Sequence, residues 1–78
     1  MAFKIDGDKV FVDSDFIRDS AKHGKLEHMG FGEFTLKTTH GDVEFDRMRG
    51  VPFEGQQGRS HLLYGDGVGW LKEQMGLK

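Results

Sequence analysis

The side chains with catalytic or ligating potential are His23, His28, His40 and His61, the carboxylate pairs Asp6/Asp8 and Asp13/Asp15, and Ser60 beside His61. A zinc site wants three or four ligands in short-spaced groups. No two of the histidines stand four apart on one helix, because Gly24 separates His23 from His28, and the chain has no cysteine to complete a set. His40 and Asp42 share a tight turn, where solvation is the ordinary fate. A calcium loop of the EF-hand kind needs Gly at its sixth position and Glu at its twelfth. Counted from Asp6 those places hold Phe11 and Ile17, and from Asp8 they hold Asp13 and Asp19. Neither a metal nor a cofactor is therefore expected. Gly65, Gly67 and Gly69 lie between an expected strand and an expected helix, where phosphate loops occur. Their spacing misses the dinucleotide fingerprint, and no Lys-Ser/Thr pair follows them, so they read as turn residues.

Ser60 and His61 are neighbours, and on a strand adjacent side chains point to opposite faces; they cannot form a dyad with each other. His61 alone could still serve as an acid/base. The stretch Gly58-Arg59-Ser60-His61-Leu62-Leu63-Tyr64, with a helix after it, resembles the Gly-Ser-His strand of HicA-type mRNA-cleaving toxins over about seven residues, with an Arg interrupting the motif. That resemblance implies a small ribonuclease with His61 as its single acid/base. The chain lacks the strongly basic composition such toxins use, carrying 11 basic and 13 acidic side chains.

The stretch 47–60 is chemically distinct from the rest. Arg47, Arg49 and Arg59 stand against one acid, Glu54, while Phe53 lies beside Pro52 between Gly50 and Gly55, with Gln56 and Gln57 next to them. Loops this long within a small domain are usually functional or disordered, and arginine with an aromatic anchor is the composition enriched at interface hot spots. Arg47, Arg49, Phe53, Gln56, Gln57 and Arg59 are accordingly the expected partner-binding residues. The competing reading has Val51 and Phe53 plugging the end of a sheet. Residues 6–19 hold five acids and two bases, so the expected surface has an acidic and a basic pole, suited to a protein partner of mixed charge.

These residues need a scaffold. Phe3–Val12 reads as a hairpin centred on Gly7-Asp8, pairing Asp6 with Lys9, Ile5 with Val10 and Phe3 with Val12; the alternative register would oppose Lys4 and Lys9. A helix follows, capped by Asp13 or Ser14 and ended by Gly24, with Phe16, Ile17 and Ala21 as its apolar stripe. Leu26, Met29 and Phe31 are expected over one sheet end, where Gly30 and Gly32 forbid more helix. The second hairpin, 33–48, is expected to turn at His40-Gly41, pairing Thr38 with Val43, Leu36 with Phe45 and Phe34 with Arg47. Its alternation places one side on the core and one in water. His61–Tyr64 reads as a fifth strand, and a final helix starts near Val68, with Val68, Leu71 and Met75 on its buried stripe beside Trp70. The fold class is α+β in the order β-β-α-β-β-β-α: a small antiparallel sheet packed by two short helices, one domain over residues 1–78.

Size and composition bound the function. Seventy-eight residues with 36% hydrophobic content exclude two-domain enzymes and full dinucleotide-binding folds. Twelve glycines are about twice the average share. Absence of cysteine favours a reducing, cytoplasmic setting. The longest apolar run, Val10-Phe11-Val12, is far too short for a membrane span. The expected function is a non-catalytic protein-interaction module, in one version a phage- or mobile-element-encoded inhibitor of a host complex of the anti-CRISPR type. Nucleic-acid binding through the arginines of 47–60 ranks second, because the net charge is −2 and such binders carry a basic face. Phe31, Phe53 and Trp70 are large for so small a core, and a homodimer would bury any excess.

Overall fold

The computed structural model describes residues 2–77; Met1 and Lys78 of the expected domain lie outside the described residues. Six strands form a single antiparallel sheet: β1 (Phe3–Asp6), β2 (Lys9–Val12), β3 (Lys25–Gly30), β4 (Glu33–Thr38), β5 (Gly41–Asp46) and β6 (His61–Tyr64). Their spatial order is β1-β2-β6-β5-β4-β3. Two short helices, α1 (Ser14–Ser20) and α2 (Val68–Gln74), complete the α+β architecture. The chain leaves β2, crosses the sheet through α1 and a 3-10 turn at Ala21–His23, and returns strand by strand until β6 enters between β5 and β2. No helix among the described residues is long and apolar enough to cross a membrane.

The first hairpin takes the expected register, with Asp6 opposite Lys9 and Phe3 opposite Val12. The second is shifted by two residues: Thr38 pairs with Gly41, Leu36 with Val43 and Phe34 with Phe45. Its turn is Thr39-His40. The Thr38 hydroxyl accepts the His40 N–H at 3.0 Å and donates to the Gly41 carbonyl at 2.6 Å, and the positive φ falls on Gly41 after the turn. A shift of two preserves the face of every side chain. Leu36, Val43 and Phe45 therefore still join Val10, Val12 and Leu63 beneath Phe16 and Ile17 of α1 and Leu71 of α2. Phe16 meets Phe45 edge to face at 6.5 Å between centroids. Each of these fully buried rings is worth roughly 1.5–3 kcal/mol of hydrophobic stabilisation.

Three expectations need correction. Residues 25–30 form an edge strand, β3, in place of a cover for the sheet end; Met29 and Phe31 are exposed. Ala21 leaves the buried face because the helix tightens into the 3-10 turn at that point, and Ser20 is buried in its stead, donating its hydroxyl to the Ile17 carbonyl. The outer face of the sheet is left to water only in part, with the Lys37 and Asp42 side chains and Tyr64 exposed on it. Phe11, Leu62, Thr35 and Asp46 are buried there, and Met48–Val51 folds back so that Met48, Arg49 and Val51 line a recess with Phe11 and Leu62.

Candidate partner-binding surface

The long loop after β5 is sewn onto the start of α1. Asp13, fully buried, caps that helix: Oδ1 accepts the Phe16 N–H at 2.9 Å. Its second oxygen, Oδ2, accepts the Gln57 N–H, also at 2.9 Å, from 44 residues away. Ser14 donates its N–H to the Gln57 carbonyl at 3.1 Å, and its hydroxyl accepts the Arg59 N–H at 3.3 Å. Within the loop, Gln56 acts as a staple, accepting the Phe53 N–H and donating to the Gly58 carbonyl, both at 2.8 Å. Gly50 lies so close to the strand that a Cβ there would overlap the Ser60 carbonyl. The acidic segment and the arginine-bearing loop are thus joined at this seam through Asp13 and Ser14.

The six expected partner-binding residues divide into two groups. Arg49 is committed to the fold: Nε donates to Asp46, and the guanidinium lies 4.9 Å from the centroid of the Tyr64 ring. Asp46 also accepts the Met48 N–H at 3.0 Å. The hydrogen bond from Arg49, opposed by burial and helped by Met48, holds the Asp46 carboxyl below its usual range. Gln56 and the backbone of Gln57 hold the loop, and Phe53 is half-buried within it. Arg47 and Arg59 remain. Among the described residues neither takes part in an ion pair, and both line a cavity of about 180 Å³ together with Gly50, Pro52, Gln56, Gly58 and Ser60.

The residue most exposed for its chemistry is Phe31. It stands at the tip of the β3–β4 hairpin, 91% exposed, at φ 51° between Gly30 at 89° and Gly32 at 76°. A bulky side chain in the left-handed region costs about 1–2 kcal/mol. The flanking glycines make three consecutive positive φ values feasible. A Cβ on Gly32 would meet the Arg47 guanidinium at 2.7–2.9 Å, so the tip sits directly beside Arg47, whose neighbour Met48 is 76% exposed. The local signal was Gly-Phe-Gly between two strands; its meaning lay in the backbone angles.

The histidines pack on aromatic rings. His40 stacks on Trp70 at 4.6 Å and His23 approaches the same ring edge-on at 6.2 Å, while His28 and His61 lie 4.9 and 6.4 Å from Phe34. His61 is 3% exposed, with Nδ1 3.2 Å from the Arg59 carbonyl. Burial lowers its pKa from the ordinary 6.5, against the raising effect of hydrogen bonds to the Gly32 and Arg59 backbone. Ser60 Oγ, by contrast, is buried without a hydrogen-bond partner among the described residues. The glycines at 65 and 67 press against the backbone of Asp42 and Gly41, and the Gly67 N–H is given to the Asp42 carbonyl at 3.0 Å. Among the described residues no three potential ligands gather as a metal site.

No protein-family model matches the chain, and neither a curated protein nor a solved structure is found to be similar to it.

Proposed function

We propose that this protein is an interaction module whose partner is another protein, and that it docks through the β3–β4 tip and the neighbouring side of the 47–60 loop. The observation that carries this reading is Phe31, held 91% exposed in a strained left-handed conformation. Left-handed strain opposes folding, and an exposed ring forgoes the gain of burial; such features concentrate where binding offsets them. Arg47 beside it and Arg59 across the cavity supply cations without intramolecular partners among the described residues. An aromatic anchor with flanking arginines is the usual make-up of an interface hot spot. The remainder of the loop, including Arg49 and Gln56, holds this surface in shape.

The test uses the protein as bait. Wild type and Phe31→Asn are compared in affinity purification from the source cell. Asparagine tolerates left-handed φ far better than phenylalanine, so this variant keeps the tip while deleting the ring. A stoichiometric protein recovered with wild type and lost with Phe31→Asn supports the reading; recovery undiminished by the substitution refutes it.

A second reading, single-stranded nucleic acid, draws on the same exposed ring as a stacking platform. With Arg49 engaged by Asp46, only Arg47 and Arg59 remain in this region for phosphates. Binding would then fall by roughly 1.4 log units per log unit of salt, and a salt-insensitive complex excludes it.

A further inference from the structure

Ser60 is 93% buried by its 7% exposure, its hydroxyl has no hydrogen-bond partner among the described residues, and it lines the same cavity as Arg47 and Arg59. A buried hydroxyl without a partner is a feature that native structures rarely keep without reason. The cavity, about 180 Å³, has room for on the order of six waters or one small polyatomic anion. We propose that it is a binding site for a single phosphate group, held between the Arg47 and Arg59 guanidiniums, with the buried Ser60 hydroxyl turning about its Cα–Cβ bond into the cavity to donate to one of its oxygens. The three groups come from two segments: Arg47 follows β5, while Arg59 and Ser60 precede β6. A tetrahedral oxoanion presents acceptor oxygens in several directions at once, whereas a carboxylate offers two in one plane, and guanidinium forks match phosphate well. The acids nearby do not compete. Asp46 is paired with Arg49, and Glu54 is exposed in the loop and does not line the cavity. The Gln56 amide is already bonded at both ends, to Phe53 and Gly58, and serves as wall. Gly50, Pro52 and Gly58 complete the lining.

The site does not depend on the protein-partner reading, and its test needs no partner. Inorganic phosphate is titrated into the labelled protein at constant ionic strength, with amide chemical shifts as readout. The expected result is saturable shifts at Gly50, Gly58, Arg59 and Ser60. Arg59→Ala and Arg47→Lys each weaken binding by about tenfold, the size expected for one charge-assisted bidentate contact. Ser60→Ala weakens it less, and Arg18→Ala, on α1 and outside the cavity lining, leaves it unchanged. A parallel titration with O-phosphoserine identifies the source. Tighter binding of the ester points to a phosphate carried on a larger molecule, and tighter binding of inorganic phosphate to the free ion. The absence of saturation into the tens of millimolar overturns the proposal. So do shifts that survive both arginine substitutions, or formate binding as tightly as phosphate.

Discussion

Replacing Asp13 with alanine tests the seam that gives the loop its shape. The carboxylate is fully buried and accepts two backbone N–H groups, from Phe16 and Gln57, each at 2.9 Å. Hydrogen bonds to a charged group contribute about 1.5–3 kcal/mol each, and an N-cap lost to alanine costs about 0.5–2 kcal/mol. Water can reach Gln57, which is exposed, so the second bond belongs at the lower end of its range. The expected loss is therefore about 3 kcal/mol, a large part of the roughly 4–12 kcal/mol a domain of this size commands. At about 4–8 °C per kcal/mol, the melting temperature should fall by roughly 12–24 °C. Urea denaturation followed by circular dichroism measures the stability, and amide exchange at Gln57 and Arg59 measures the loop. Asp13→Asn retains one acceptor oxygen and should fall between wild type and alanine. A loss below about 1 kcal/mol, within the range of an ordinary surface cap, or unchanged exchange at Gln57, would refute the two-bond account.

Other outcomes follow from single residues. Gly50→Ala drives a methyl into the Ser60 carbonyl and should cost about 2–4 kcal/mol in urea melts; a neutral result would mean the loop packs less closely. Ser60→Ala removes an unpartnered buried hydroxyl and should stabilise the protein by about 1 kcal/mol in phosphate-free buffer, whereas a loss of stability would show that the hydroxyl is satisfied. His61 has a folded pKa below the ordinary 6.5, chiefly through burial. The unfolded chain therefore takes up the proton first as pH falls through 6.5, and stability should decline with a slope of at most about 1.4 kcal/mol per pH unit. His61→Gln should flatten that slope, and an unaltered slope contradicts the assignment.

Much of the fold was legible because charge and alternation spoke together. The first hairpin's register follows from keeping Lys4 away from Lys9, and that register is the one observed. In the second hairpin the alternation named the core face, but turn chemistry set the register: Thr38 closes the turn with its hydroxyl and Gly41 takes the positive φ behind it. β3 escaped reading because it is an edge strand whose inward side chain Leu26 is only half-buried. The N-cap role of Asp13 is local and readable, whereas its bond to Gln57 spans 44 residues and has no local signature. Arg47, Arg49 and Arg59 are alike as letters. Asp46 three residues before Arg49 decides which one is neutralised, a spacing that could have been weighed. Phe31 looked like core by residue type, and only the backbone angles of Gly30, Phe31 and Gly32 turn it outward.

The most direct measurement is the dissociation constant for the protein that co-purifies with wild type, determined alongside the melting temperature for wild type and Phe31→Asn. A docking anchor predicts an affinity loss of about 30-fold or more, equivalent to about 2 kcal/mol for a hot-spot residue, with a melting temperature equal to or above that of wild type because the left-handed strain is relieved. Unchanged affinity would contradict the account, and so would a loss of affinity matched by a loss of folding.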